Sequence, residues 1–227
     1  MSDGFPNKPK ILRGAFVEFG LSLPPLIVVF QFNPLQLTRN RALTFAANGT
    51  STGGSIRDFH GKYTDLLDLR REQVGTVQEQ TLGFELRLDA SDRLDAGDAI
   101  TEQFGVAPQI STLELMVSPK EEGILNGLVS DLLGSPPGFS FQSTPKPPLI
   151  LFVFGRKRVL PVNINSLNIT ETEFSADLNP VRATVTVSLT VIEGPSVPYQ
   201  YSHAMTEAMS LLNLANLTDV ASVVIPG

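Results

Sequence analysis

A chain of 227 residues is long enough for one large domain, or one domain with an appendage, and 42% hydrophobic with 18% charged residues is the composition of a chain that folds around a core. A formal net charge of -6 lacks the basic footprint that holds a polyanion, so no nucleic acid is expected as a partner. The absence of cysteine removes disulfides, zinc thiolates, iron–sulfur clusters and cysteine nucleophiles, and with 2 His and no Trp the catalytic toolkit is thin.

Met1 to Lys10 is polar and has no apolar core leading to a small-residue cleavage site, so no secretory signal is expected. Ile11 to Phe19 reads as a short strand. The most apolar stretch, Leu21 to Phe32, contains Pro24 and Pro25 and falls well short of the roughly 20 residues that span a bilayer as a helix, so no direct membrane insertion is expected. Within it, Leu26 to Phe32 is an apolar run broken only by Gln31, read as a strand covered on both faces. The turn dipeptide Asn33-Pro34 leads into a further strand over Leu35 to Phe45, and Asn48 to Ser55 reads as a loop. Leu82, Phe84, Leu86 and Leu88 alternate with Gly83, Glu85 and Arg87, the period of a half-buried strand.

Two helices are expected next. Ile110, Leu113 and Met116 fall three apart over Gln109 to Val117, and Ile124, Leu125, Leu128, Val129, Leu132 and Leu133 repeat with helical spacing before Gly134. Gly134 to Pro148 reads as a loop, followed by Leu149 to Phe154, a second apolar run of the doubly covered kind. Arg156-Lys157-Arg158 directly after it fits a hairpin turn with solvated charge. Val162 and Ile164 alternate with Asn163 and Asn165. The cleanest signal is Val181 to Ile192, where Val181, Ala183, Val185, Val187, Leu189 and Val191 alternate with Arg182, Thr184, Thr186, Ser188 and Thr190. At about 3.4 Å per residue that strand runs roughly 40 Å, about twice the common length. His203 to Val224, rich in Ala, Leu and Met, reads as a helical tail. The expected fold class is therefore β-rich α+β with one or two helices and a helical C-terminal tail, divided at 1–194 and 195–227.

Little in the chain carries recognisable chemistry. His60 and His203 lie far apart and outside any HExxH or HxH pattern, and neither is assigned a catalytic or metal role. Asp89, Asp92, Asp95 and Asp98 recur every third residue, but they lack the D-x-D-x-D-G order that gathers oxygens around calcium. Ser91 or Asp92 as a helix N-cap explains the spacing without an ion. The Gly-rich segment Asn48 to Ser55 has no Gly-Lys-Ser/Thr ending, and no G-x-S-x-G elbow occurs. No catalytic residue, cofactor or metal is expected.

Three blocks point further. Val28-Val29-Phe30-Gln31-Phe32-Asn33-Pro34, followed by Arg39-Asn40-Arg41, resembles the opening of the contractile injection system tube protein family, an apolar strand ending in F-x-N-P before a polar strand. Pro147 to Gly155, with Phe152 and Phe154, looks like the family's P-P-x-x-x-F-x-W/F-G strand. Phe174, and then Pro180-Val181-Arg182-Ala183 ahead of a strand that ends at Glu193, resembles its third block, with Leu178-Asn179 standing where Gly is usual. The three lie in the family's order over residues 11 to 193. Some relatives carry a C-terminal peptidoglycan-binding module, of which Ser202 to Gly227 shows no sign, so cell-wall binding is not carried over.

The resemblance implies two packed β-sheets of the tail-tube type, a β-sandwich or barrel, in a non-enzymatic structural protein of a phage-tail-like contractile particle. It implies a homo-hexameric ring that initiates the inner tube or joins it to the baseplate, with the inner tube protein, the trimeric spike protein and other baseplate components as partners. Assembly would take place in the bacterial cytoplasm, within a particle that can be released from the cell. The extensions after Gly134 and Glu193 favour the initiator or hub layer over the repeated tube subunit. The alternative is a monomeric β-sandwich module that binds carbohydrate or peptide, for which 3 Tyr and no Trp offer few aromatic platforms.

Overall fold

The computed structural model describes residues 12–20, 25–47, 55–119 and 146–214. Strands β1 (Ala15–Glu18), β2 (Ile27–Val29), β3 (Leu37–Asn40) and β4 (Leu43–Ala47) come first, followed by helices α1 (Ile56–His60) and α2 (Leu66–Glu72). Strands β5 (Gln73–Val77) and β6 (Thr81–Asp89) precede helices α3 (Ser91–Asp95), α4 (Ala99–Phe104) and α5 (Ala107–Val117). Strands β7 (Ile150–Val153), β8 (Val159–Phe174) and β9 (Pro180–Val191) lead to helix α6 (Val197–Leu214). Seven strands join, all antiparallel, in the order β2-β1-β7-β8-β9-β6-β3, while β4 and β5 form a separate two-stranded ribbon. The protein is β-rich α+β.

The alternation read in β6 and β9 sets the centre of the sheet. Leu82, Leu86 and Leu88 of β6 and Val185, Val187, Leu189 and Val191 of β9 are all buried on one face. Their neighbours Glu85, Arg87, Thr184 and Thr186 stand opposite one another on the other face, as a period of two requires. β8 is far longer than its first alternation suggests. Val162 and Ile164 face the core, Asn165 is an extra residue between the pairs Ile164↔Leu189 and Ser166↔Ser188, and Leu167 and Ile169 then return to the core side opposite Val187 and Val185. The bulge resets the phase of the strand, so both halves bury their apolar residues although the sequence period breaks between them.

The seven strands curl around their core. Three places separate β6 from β7 in the strand order, about 14 Å in a flat sheet. Yet Phe84 of β6 stacks on Phe152 of β7 with ring centroids 5.3 Å apart, and Phe16 of β1 lies 6.0 Å from Phe84. Phe30 closes the group with its edge on Phe16 at 5.2 Å. Helix α5 lies against β8 and β2 and buries Ile110, Leu113 and Met116, the three positions read as its apolar stripe. Each such side chain contributes roughly 1.5–3 kcal/mol through burial, with about 0.5–1.5 kcal/mol more for a well-oriented ring pair. One curled sheet, with the ribbon apart from it, stands where two packed sheets were expected.

Several expectations need correction. Leu35 to Phe45 is two strands: the chain leaves the main sheet after Asn40 and enters the ribbon at Leu43, because Arg41 turns aside to Glu193 and Tyr199. The apolar runs are not covered on both faces. In β2, Val28 is buried while Ile27 and Val29 remain 50% and 51% exposed, since they lie on the opposite face, which is left open among the described residues; Leu151 and Val153 of β7 are half-buried. Neither Ser91 nor Asp92 is an N-cap: Ala90 holds that position for α3, the Asp89 carboxylate accepts from the Ser91 amide at 2.8 Å, and Asp98 caps α4. Among the described residues five helices, four of them one or two turns long, precede the C-terminal helix. That helix begins at Val197 rather than His203, because Pro198 is tolerated in a first turn whose amides have no helical partner. The helix expected over 124–133, most of both expected loops and the end of the tail lie outside the described residues.

Candidate assembly interface

The first two sequence blocks meet in space, and their phenylalanines divide by depth. Phe30 and Phe152 are buried in the ring cluster, and Phe154 stacks on Phe152 at 5.7 Å. Asn33 fastens the chain ends of this corner: its Nδ2 donates to the Leu12 carbonyl at 2.8 Å and its Oδ1 accepts from the Gly14 amide at 2.9 Å, with Pro34 next in the turn. Gly14 must be small, since a Cβ there would lie 2.6 Å from the Phe30 ring. Gly155 sits at a φ of 71° in the β7–β8 turn, the left-handed region that favours glycine. In that turn Arg156 and Lys157 are exposed, but Arg158 is half-buried over the Phe154 ring, 5.7 Å from its centroid. Burial, and then the positive charge of Arg39 on β3, lower the Arg158 pKa, so this turn is less solvated than its sequence suggests.

The third block lies at the opposite end of β8 and β9 and braces the helical corner. The Pro180 carbonyl accepts from the Val106 amide and the Val181 carbonyl from the Ala90 amide, both at 2.9 Å, so the start of β9 holds the starts of α5 and α3. Gly105, at a φ of 56°, passes so close that a Cβ would fall 2.1 Å from the Pro180 oxygen. Arg182 reaches Asp89 through Nε at 2.8 Å and Glu173 through Nη1 at 2.7 Å, and Ala183 is buried. Burial alone would raise the Asp89 carboxyl. Hydrogen bonds from Ser91 and the Arg182 guanidinium outweigh it and hold the group below the usual carboxylate range. Phe174, at the tip of this hairpin, is 52% exposed.

What the chain leaves uncovered is strand. β2 and β3 end the seven-stranded order, so each has an edge without a partner strand among the described residues. Ile27 and Val29 flank the β2 edge, while Phe32 and Leu35 are exposed near β3. The ribbon adds Leu43, Phe45, Val74 and Val77, all exposed, and its two strands have only each other among the described residues. An open groove of about 700 Å³ lies between the 32–38 segment and the outer face of β6 and β9, lined among others by Phe32, Leu35, Thr38, Glu85, Arg87 and Thr186. Sequence reasoning took Ile27 and Val29 for core and passed over the ribbon. The doubly apolar run was the available signal, because it calls for a second cover that the chain itself does not supply to β2.

The two histidines are not brought together. His60 ends α1 and His203 lies on α6 beside Glu207 at 3.2 Å, on separate elements. No group of three or more His, Asp or Glu side chains that could hold a metal occurs among the described residues, and Asp89 and Asp98 are engaged in capping and in the Arg182 pair. No helix among the described residues is long and apolar enough to cross a membrane. No family model matches the chain, and no curated protein matches it.

Proposed function

We propose that this chain is a non-enzymatic structural subunit of a phage-tail-like contractile injection particle, forming a homo-hexameric ring that starts the inner tube or joins it to the baseplate spike. The observation that carries this reading is a sheet with two edges that find no partner strand among the described residues, one flanked by half-exposed Ile27 and Val29, in a chain that also projects an apolar two-stranded ribbon. Bare edges invite pairing, and a closed ring satisfies them without leaving a growing aggregate. The resemblance of the Phe30–Pro34, Phe152–Gly155 and Pro180–Ala183 blocks to the tube protein family supplies the kind of particle. In that setting the curled sheet corresponds to the tail-tube fold, and the Thr/Ser/Asn face of β8 and β9 is a wet wall of the channel. The inner tube protein, the trimeric spike and baseplate components are the partners above and below.

Cryo-electron microscopy of particles purified from the native host tests the proposal. Six copies of the chain in one layer between spike and tube are expected. Copies along the whole tube would make it the bulk tube subunit instead. If no such particle contains it, the groove beside Phe32 makes a peptide- or carbohydrate-binding module the better reading.

A further inference from the structure

The ribbon joins the body through a narrow neck. On one side Arg41 and Ala42 link β3 to β4, and on the other residues 78–80 link β5 to β6. Within the neck the Gln78 amide donates to the Ala42 carbonyl at 2.8 Å, and the Val191 amide donates to the Gln80 carbonyl at 2.9 Å, which ties the neck to the end of β9. Arg41 is the side chain that reaches out of it. Its Nη2 donates to Glu193 Oε1 at 2.8 Å and to the Tyr199 hydroxyl at 3.3 Å. Glu193 follows β9, and Tyr199 stands in the first turn of α6, half-buried against the core. A single guanidinium therefore spans the base of the ribbon and the root of the C-terminal helix.

We propose that Arg41 is a latch that couples the β4–β5 ribbon to helix α6, so that releasing one loosens the other. The ribbon is lightly anchored otherwise, touching helix α1 beside β4, whereas α6 is held against β8 and ties the latch to the body. No strand or helix of the main sheet packs extensively on the ribbon among the described residues. Helix α6 is pinned near its start, by Ser202, which bonds both the amide and the carbonyl of Val159, and by Tyr201, which donates to the Arg156 carbonyl. Further along, Leu211 and Leu212 are exposed. Both elements carry exposed apolar side chains, Phe45 and Val77 on the ribbon and Val197 and Leu211 on the helix, so the latch joins two surfaces suited to contact with other chains. Hydrogen bonding to Tyr199 and the Glu193 carboxylate favour the charged guanidinium despite some burial. The pair is partly exposed, with 47% of the Arg41 and 26% of the Glu193 side chain accessible, so salt or a competing carboxylate on a partner opens it. The coupling does not depend on what particle the chain belongs to.

Hydrogen–deuterium exchange of the full chain tests the latch. Peptides covering 43–47, 73–78 and 197–203 are followed in the wild type, in Arg41→Ala and in the isosteric Glu193→Gln, with 183–189 of β9 as the reference. Exchange about two- to fivefold faster is expected in both the ribbon and the start of α6 for either variant, with β9 unchanged, the range set by one partly exposed ion pair. The double variant is expected to add nothing, and about 1 M salt should bring the wild type to the level of the variants. Acceleration confined to the ribbon, acceleration confined to the helix, additive effects, or no change would each overturn the coupling. Should Arg41→Ala fail to fold, Glu193→Gln and the salt series decide the question alone.

Discussion

Leu178 carries the sharpest conformational demand of any single side chain in the β8–β9 turn. It adopts a φ of 61° and is 80% exposed, so a branched residue sits in the left-handed region where glycine is favoured and gains little burial in return. It occupies the position where the tube protein family, which this block resembles, has Gly. Leu178→Gly is expected to raise stability by about 1 kcal/mol, seen as a higher melting temperature. Gly105 is the converse. Its positive φ and the Pro180 oxygen 2.1 Å from a would-be Cβ mean that Gly105→Ala must displace the α4–α5 junction or the start of β9, a loss of about 2–4 kcal/mol by denaturant titration. Asp89 adds a pH dependence. Its folded pKa is depressed, so its contribution is present at neutral pH and is lost as pH falls through the folded value. Melting curves of wild type and Asp89→Asn should therefore differ near pH 7 and draw together only as the pH falls below the ordinary carboxylate range towards the lower folded value.

Strands show where periodicity is legible and where it fails. β6 and β9 keep strict alternation over their length, and nothing but the sequence was needed to place their faces. β8 breaks its period at Asn165, so its second half was invisible as a continuation of the first, although Leu167 and Ile169 alternate correctly once one residue is skipped. Deleting Asn165 turns the bulge into regular pairing with every apolar residue still facing inward. The deletion should keep the fold within about 1 kcal/mol of wild type, less the Asn165–Thr190 hydrogen bond at 2.8 Å. Deleting Asn168 instead sends Ile169 and all that follows to the wrong face, and is expected to destabilise by several times as much or to prevent folding. Both outcomes are read from urea unfolding. The division of Leu35 to Phe45 into β3 and β4 was equally hidden, since the residues on both sides of Arg41 are suited to strand.

For the whole molecule, edges matter more than centres. Ile27 and Val29 are half exposed, so Ile27→Lys with Val29→Lys should leave the melting temperature of the subunit within a few degrees while abolishing its incorporation into particles. The incorporation proposed above is scored by whether the variant, unlike the wild type, fails to co-purify with particles from the native host. The same double change in a chain that functions as a monomer would leave its activity untouched.

Within the described residues, the sequence by itself determined the local period of β6, β9 and α5, and with it which residues of those elements face inward; by composition it excluded thiol chemistry. These follow because a strand or helix face is set by residues two to four apart. Only the tertiary structure decided the strand order, the curl that stacks Phe84 on Phe152, the phase shift within β8 and the separation of the ribbon. It also decided the ion pairs that hold the corners, Arg182 with Asp89 across 93 positions of sequence and Arg41 with Glu193 across 152. Such pairings depend on which distant segments the whole chain brings together, and no window of neighbouring residues contains that information.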